Sequence, residues 1–231
     1  MNKINKWVWA VAVAGICIGC QKEEVGVYGR NDSKVYFQEQ NFSGGNGAEG
    51  YTNITSFSFV DYDATYTSVV FNAKVKLLGE VKDYDRSVRV VVDEVRTTMT
   101  PYDAVTNPDG GYVADFDTLK IKAGANEGIV GVRFIRNASI KKRVDTLVLK
   151  LEANEYFDLL DEYKSSNVWD NTTVDTIDGS RFTFLLSEIY TKPGRWDGVS
   201  ASNYFGAWNA TRYAYINGLF GFTTKDWTWA T

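Results

Sequence analysis

The amino-acid sequence predicts a mainly β protein, built as an antiparallel β-sandwich with a small helical subdomain at its C-terminal end. Two observations lead to this prediction. Apolar residues alternate with polar ones over most of the chain, and short turn-forming stretches rich in glycine, asparagine and aspartate separate several of the alternating segments. A third observation is a change of pattern after Pro193, where aromatic residues recur at helical spacing.

The alternation is clearest in one segment in which every second residue is apolar: Val69, Phe71, Ala73, Val75 and Leu77. Lysines and an asparagine occupy the positions between them, which is the pattern of a strand with one buried face. Similar segments occur at residues 34–37, 56–60, 88–92, 115–122, 128–136, 147–151 and 181–186. Roughly seven or eight short strands separated by turns are typical of an immunoglobulin-like sandwich.

Three stretches depart from the alternation. Residues 40–50 are rich in glycine and asparagine and predict a mobile loop, and residues 152–164 predict a helical turn followed by a polar loop. Beyond residue 200, helical spacing places four large residues near one face, with Ser202 as the expected N-cap. These residues are Tyr204, Trp208, Tyr215 and Leu219. Aromatic residues at helical spacing usually face inward, so we expect this face to pack against the sandwich.

The first nineteen residues have the features of a secretory signal. Two lysines precede an uncharged apolar run over residues 7–18, which is shorter than the ~20 residues that span a bilayer. The run ends at Cys20, and the sequence Cys17-Ile18-Gly19-Cys20 resembles a bacterial lipobox, although Cys17 stands where leucine is usual. Cleavage before Cys20 would leave the mature chain with one cysteine and no internal disulfide. We therefore expect Cys20 to be acylated, for example by palmitate, and to anchor the protein in a membrane.

Residues 20–33 are predicted to form a lipidated tether ahead of the sandwich, which occupies residues 34–190. Behind Cys20, the sequence Gln21-Lys22-Glu23-Glu24 resembles the signal that sends lipoproteins of gut polysaccharide-degrading bacteria to the outer face of the outer membrane. The expected location is therefore the cell surface. Loss of residues 1–19 removes two lysines and no acid, so the mature chain has a formal net charge of −6. This charge argues against nucleic acid as a partner.

Histidine is absent from the sequence, which excludes several kinds of catalytic site. Serine and cysteine nucleophiles activated by histidine cannot form, and most catalytic zinc sites also need histidine. The remaining candidates are paired acids at Asp61-Tyr62-Asp63, Asp83-Tyr84-Asp85 and Asp93-Glu94. They could form a calcium site, but no complete calcium-binding loop is present, so we favour turn residues, with Asp85 paired to Arg86. We predict no catalytic residues, no metal and no cofactor.

Aromatic residues are concentrated in the last part of the chain, residues 191–231, which we predict to form a separate subdomain. Flat rings pack in small cores, stack on sugars or anchor protein interfaces. Core packing is the commoner use. Trp227 and Trp229 lie near the chain end, where burial is least assured, and they are the candidate contacts for a ligand or a partner.

Nearly the whole mature chain resembles the surface lipoproteins of unknown function encoded beside SusC/SusD-type outer-membrane importers. The strand segments contribute to this resemblance, but the C-terminal pattern "KPGRWD" followed by "FGAW" contributes most. The resemblance implies a non-enzymatic accessory that binds a ligand or assists assembly, with a SusC-type barrel and a SusD-type lipoprotein as partners and a glycan or peptide as ligand. It transfers no site residue. The alternative is a surface hydrolase that cleaves glycans or peptides with Asp or Glu carboxylates.

Overall fold

The computed structural model describes residues 33–43, 49–166, 174–193, 196 and 201–227. In these residues the chain is mainly β, with a short helical segment at its C-terminal end. The strands are β1 Lys34–Phe37, β2 Gln40–Ser43, β3 Glu49–Thr52, β4 Ile54–Ser58, β5 Ser68–Leu78, β6 Arg86–Ser87, β7 Arg89–Val92, β8 Tyr112–Ala114, β9 Lys120–Ile121, β10 Glu127–Ile135, β11 Asp145–Glu152, β12 Asp158–Leu159, β13 Glu162–Ser166, β14 Val174–Asp178 and β15 Arg181–Ser187. A 3-10 helix over Ser139–Lys141 connects β10 to β11.

Two larger sheets carry most of the strands. One has five strands in the order β12-β1-β5-β10-β8, and the other has four in the order β4-β15-β11-β7. Both sheets are mixed, because β1 runs parallel to β12 and β4 runs parallel to β15. The prediction of a mainly β chain with a C-terminal helical segment is confirmed, whereas the purely antiparallel arrangement is wrong. The two parallel pairings join segments more than one hundred residues apart in sequence, so local alternation could not indicate their direction.

The core lies between the two sheets and consists largely of aromatic and branched side chains. Phe134 of β10 contacts Phe184 of β15, with ring centroids 5.2 Å apart, and Phe37 of β1 lies 5.7 Å from Phe182. The apolar face predicted for β5 is the face that packs into this core. The alternation of β10, with every second residue buried from Gly128 to Phe134, follows the same rule.

Three local predictions are corrected by the structure. Residues 152–164 contain β12 and the start of β13 instead of a helical turn, because Asn154 Oδ1 accepts hydrogen bonds from two following N–H groups and Phe157 is buried in the core. Within residues 115–122 only β9 is extended, since Asp115 closes a turn on the N–H of Asp117. The predicted loop over 40–50 begins and ends in the antiparallel strands β2 and β3, and its middle lies outside the described residues.

Candidate functional site

The C-terminal helical segment consists of two short helices. Helix α1 covers Ala201–Phe205, and helix α2 covers Ala210–Phe220. Asn209 begins α2 as its N-cap, accepting hydrogen bonds from the N–H groups of Thr211 and Arg212 at 2.9 and 3.2 Å. Gly221 ends it in the left-handed conformation, with φ of 67°, which glycine adopts without steric cost. Capping of α2 therefore rests on Asn209 and not on the predicted Ser202, which lies inside α1.

A small aromatic core lies beneath these helices, distinct from the core between the two larger sheets. Its buried members are Trp196, Ala201, Tyr213 and Ile216. The Trp196 ring lies 5.8 Å from Tyr213 and 5.4 Å from Trp227, and its indole N–H donates to the Gly206 carbonyl at 2.9 Å. Trp227 is half-buried and donates its own indole N–H to Asn217 Oδ1 at 2.8 Å. This core fixes where the neighbouring aromatic side chains point.

The face of the helices that sequence spacing predicted to be buried is largely exposed. Tyr204 is 82% exposed, Tyr215 68% and Leu219 61%, whereas Tyr213 and Ile216 point inward. The prediction of the inward face is therefore wrong for these three residues. Tyr204 lies on α1, which a break at Gly206 (φ of 75°) separates from α2. Within α2 the inward face is that of Tyr213 and Ile216, so Tyr215 and Leu219 lie on the other face. Residues on two separate helices do not share the periodicity of one.

An open pocket of about 210 Å³ lies between α1 and the segment that follows α2. It is lined by Ala201, Tyr204, Phe205, Phe222, Asp226 and Trp227. Asp226 is the charged side chain in this lining, and its Oδ2 accepts hydrogen bonds from the N–H and hydroxyl of Thr223 at 2.6 and 2.9 Å. These bonds hold the pKa of Asp226 below its usual range, so the carboxyl group is ionised at neutral pH. The pocket thus combines four aromatic rings with one anionic hydrogen-bond acceptor. We refer to it as the aromatic pocket.

The segment after α2, which forms one side of the aromatic pocket, is attached to the loop between β4 and β5. Asp61 Oδ1 accepts a hydrogen bond from the Thr224 N–H at 2.9 Å, and its Oδ2 accepts from the Thr224 hydroxyl. Tyr190 strengthens the same junction, because its hydroxyl donates to the Val60 carbonyl at 3.3 Å and its ring meets Tyr213 edge-on. The pocket is consequently held beside the loop between β4 and β5.

The loop between β4 and β5 also presents two stacked tyrosine rings. The ring centroids of Tyr62 and Tyr66 are 4.8 Å apart and their planes differ by 21°. Arg136 secures this loop from below: its guanidinium donates to the carbonyls of Tyr62, Asp63 and Tyr66, and to both carboxylate oxygens of Glu188. These five bonds use every N–H donor that an arginine side chain has. The bonds between Arg136 and Glu188 raise the pKa of Arg136 and lower that of Glu188.

A second depression, of about 510 Å³, lies beside β7 and β11. Its lining includes Asp93, Arg96, Lys150, Glu152 and Arg181. The charges there largely neutralise one another. Asp93 Oδ2 accepts from Arg96 at 3.0 Å and Arg181 at 3.2 Å, and hydrogen bonds from these two arginines hold the pKa of Asp93 low despite burial. Glu152 pairs with Arg89 at 2.8 Å. The aromatic pocket is the stronger candidate for a ligand site.

The paired acidic residues, which we weighed against a calcium site and interpreted as turn residues, bind groups of the protein itself. Asp63 accepts the Thr65 N–H within a turn, and Asp85 pairs with Lys122 at 2.8 Å rather than with the predicted partner Arg86. In the described parts of the chain, no three acidic, histidine or cysteine side chains are grouped as metal ligands would be. None of the helices described in the structure is long and apolar enough to cross a membrane.

Of the site residues predicted from sequence, the structure describes one. Trp227 contributes an edge to the aromatic pocket while packing on the small core. Cys20, Gln21, Lys22, Glu23, Glu24 and Trp229 lie outside the described residues. Sequence reasoning did not single out Phe222, Asp226 or the Tyr62–Tyr66 pair as a site. Their only local signal was the Asp-Tyr-Asp sequence around Tyr62, which we interpreted as a turn.

No family model and no curated protein matches this sequence. Distant similarity is found to solved structures from Bacteroides. A candidate carbohydrate-binding protein from Bacteroides ovatus matches with 14% identity and a TM-score of 0.37, over 67% of this chain and 37% of the other. A two-domain protein of unknown function from Bacteroides fragilis matches with 10% identity and a TM-score of 0.38, over 81% and 50%.

A third structure, EndoBT-3987 from Bacteroides thetaiotamicron with a Man5GlcNAc product, has 10% identity and a TM-score of 0.34, over 61% of this chain and 31% of that one. The chain therefore spans between 31% and 50% of the length of these three structures. Similarity at this level assigns neither a family nor an activity.

Proposed function

We propose that this protein is a non-enzymatic, cell-surface module that binds carbohydrate in the aromatic pocket. The observation that carries the proposal is the pocket's composition. Tyr204, Phe222 and Trp227 surround an open space beside the ionised carboxylate of Asp226. Ligand sites combine apolar walls with a few fixed polar groups that orient the ligand.

The chemistry of the lining suits a sugar ring. The apolar face of a pyranose packs on an aromatic ring, and its hydroxyl groups donate hydrogen bonds to a carboxylate, which accepts through several lone pairs. Two lone-pair sites of Asp226 are used by Thr223, which fixes the carboxylate and leaves it further accepting capacity. At about 210 Å³ the pocket is smaller than the ~300–1,000 Å³ of drug-sized sites, so it fits one ring-sized group.

The same proposal explains the acidic residues without catalysis. A glycan hydrolase needs a carboxyl group whose pKa is raised, so that it can donate a proton near neutral pH. Among the described carboxyl groups with a shifted pKa, the direction is downward: Asp63, Asp85, Asp93, Asp103, Glu127, Asp178, Glu188 and Asp226. Cations or N–H groups bind each of them, which favours a structural or ligand-binding use over a surface hydrolase.

The location belongs to the proposal as well. Cys20 carries the lipid anchor, residues 21–24 direct export to the outer face of the outer membrane, and the two sheets represent an immunoglobulin-like sandwich beyond the tether. Confinement to the membrane raises the effective concentration of the protein beside other anchored components. The protein would accordingly act as an accessory of a SusC/SusD-type importer and present glycans near the barrel.

Carbohydrate binding is tested by titrating the full chain, in mild detergent, with malto-, manno-, xylo- and chito-oligosaccharides while following tryptophan fluorescence. Tyr204→Ala removes an exposed ring from the pocket and should weaken binding roughly two- to tenfold, since a good aromatic contact contributes ~0.5–1.5 kcal/mol. Tyr215→Ala is the matched control, because Tyr215 is also exposed on a helix but does not line the pocket. Equal effects of the two substitutions would contradict the assignment. Hydrolysis of any of these sugars by the pure protein would contradict a non-enzymatic role.

The accessory role needs a separate experiment. The tagged protein is purified from native outer membranes in mild detergent, under conditions that keep a SusC/SusD-type pair together. Recovery of a large β-barrel and its lid lipoprotein supports the role, whereas recovery of this protein alone contradicts it. Repeating the purification with Tyr204→Ala separates ligand binding from assembly with the importer, since binding in the aromatic pocket can be lost while the complex is still recovered.

A further inference from the structure

We infer that the ligand site extends beyond the aromatic pocket to the Tyr62–Tyr66 pair, so that the protein recognises an oligosaccharide chain and not a single sugar. This inference rests on the proposed function, because it adds a second contact region to the same site. The pocket holds one ring-sized group, and its open side leaves room for a longer ligand to continue across the surface.

The two tyrosines of the pair are partly exposed to solvent. Tyr62 is 42% exposed and Tyr66 41%, although each ring has aromatic neighbours on its other side. Tyr62 lies 5.1 Å from Phe57, and Tyr66 lies 6.1 Å from Phe59, by ring centroids. The rings therefore form a short stack whose inner end packs on the core between the two larger sheets and whose outer end is open to solvent. Flat, partly exposed rings of this kind provide contact area for the apolar faces of successive sugar units.

The loop that carries the tyrosine pair is held rigidly by Arg136. Arg136 binds three carbonyl groups of the loop and a carboxylate, with all five donors used. Its guanidinium also lies over the Phe59 ring, 5.3 Å from the centroid. The side chains of Arg136 and Glu188 are each only 13% exposed, which strengthens their bonds. A loop held in this way loses little conformational entropy when a ligand binds, so ring contacts there translate into affinity.

The tyrosine pair also lies close to the aromatic pocket along the chain and its hydrogen bonds. Asp61 directly precedes Tyr62, and it accepts two hydrogen bonds from Thr224. Thr224 lies two residues after Phe222 and two before Asp226, both of which line the pocket. From these covalent and hydrogen-bonded steps, the backbones at Tyr62 and Phe222 are separated by at most ~20 Å. A separation within this bound can be spanned by a short oligosaccharide.

The experiment measures affinity against ligand length. The full chain in mild detergent is titrated with malto-, manno-, xylo- and chito-oligosaccharides of one to six units, together with the variants Tyr66→Ala and Tyr66→Leu. The leucine variant keeps apolar packing on Phe59 while removing the ring, which guards against misfolding of the alanine variant. Tyr84→Ala is the matched control, because Tyr84 occupies the middle of the other Asp-Tyr-Asp sequence and is similarly exposed.

The expected result has two parts. Wild-type affinity for one of the series rises with length beyond the first one or two units, and both Tyr66 variants lose three- to tenfold in affinity for the longest ligand while retaining wild-type affinity for the shortest. Affinity that is independent of length, together with loss of binding in Tyr204→Ala, overturns the extended site and leaves the proposed function standing. Equal losses for short and long ligands in the Tyr66 variants also overturn the extension. Failure of the wild type to bind any of the four series overturns both.

Discussion

Asp61 and Thr224 are 163 residues apart in sequence, yet the carboxylate of one accepts both the N–H and the hydroxyl of the other. Asp61 belongs to the loop between β4 and β5, and Thr224 begins the 3-10 helix Thr224–Trp227 that forms a wall of the aromatic pocket. The C-terminal wall of the pocket is therefore attached to the loop between β4 and β5. This hydrogen-bonded pair couples the stability of the pocket to the position of that loop.

Replacing Asp61 by Ala should loosen the segment that follows α2. Amide hydrogen exchange over residues 222–227 is expected to accelerate roughly three- to tenfold, because a typical protein hydrogen bond contributes ~0.5–1.5 kcal/mol. The matched control is Asp83→Ala, which removes the first acid of the other Asp-Tyr-Asp sequence and should leave exchange in this segment unchanged. Unchanged exchange in both variants would show that Asp61 does not secure the pocket.

The Glu188–Arg136 pair predicts a defined pH dependence of stability. Hydrogen bonds from Arg136 hold the pKa of Glu188 below its ordinary value of 4.5. A lowered folded-state pKa means that the pair's contribution is fully present above the unfolded-state value and is lost as the pH falls through the folded-state value. Near pH 7, Glu188→Gln should therefore lower the free energy of unfolding by about 2 kcal/mol, and the difference from wild type should shrink below about pH 4.

Urea unfolding of wild type and Glu188→Gln across this pH range checks the prediction. Glu155→Gln is the control, because Glu155 is exposed between β11 and β12. A difference between wild type and Glu188→Gln that stays constant down to acid pH would contradict the ion-pair explanation.

Asn217 should be the critical polar residue of the small aromatic core. It is buried on α2, and its Oδ1 is the acceptor for the Trp227 indole N–H. Asn217→Ala leaves that N–H without its acceptor and is expected to cost about 1–2 kcal/mol of stability. A shift of one indole N–H resonance in the nitrogen–proton NMR spectrum would identify Trp227 as the affected ring. Tyr215→Ala, on the exposed side of the same helix, should leave that resonance in place.

Truncation of Phe184 should destabilise the protein more than truncation of most other residues in the core between the two larger sheets. It is buried between the sheets, and its ring contacts Phe134 and Phe182 at 5.2 and 4.9 Å. Phe184→Ala is expected to lower the free energy of unfolding by about 3–5 kcal/mol, because the surrounding rings can collapse only partly into the cavity. Phe220→Ala, which truncates an exposed ring on α2, should change it by less than about 1 kcal/mol. Similar losses in both variants would contradict the assignment of the core.

The lipid anchor is tested at a single residue. Cys20→Ala should convert the protein from the detergent-rich to the aqueous phase in a phase-partitioning experiment and should abolish its accessibility to protease on intact cells. The expectation follows from the lipobox-like sequence and from the membrane affinity that attached lipid chains supply. Unchanged membrane association in the variant would exclude acylation of Cys20 as the anchor.

Local patterns in the sequence were sufficient to predict the β class and the buried faces of individual strands. Alternation placed Val75 of β5 and Leu149 of β11 in the core because successive side chains of a strand point to opposite sides, whatever lies across the sheet. The same reasoning gave the strand Lys34–Phe37 with its observed bounds. Helical spacing after Pro193 correctly predicted helices, since that periodicity is also a local property.

The tertiary structure decided everything that depends on partners distant in sequence. Three contacts join segments at least 52 residues apart. They are the parallel pairing of β4 with β15, the hydrogen bonds from Arg136 to Glu188 and to the loop between β4 and β5, and the hydrogen bonds from Thr224 to Asp61. Tyr204 and Tyr215 were predicted to face inward and are exposed, because a left-handed glycine places them on two separate helices and α2 turns Tyr213 and Ile216 inward instead. Local alternation and spacing reflect the geometry of one element, whereas a site formed by several elements depends on how those elements pack together.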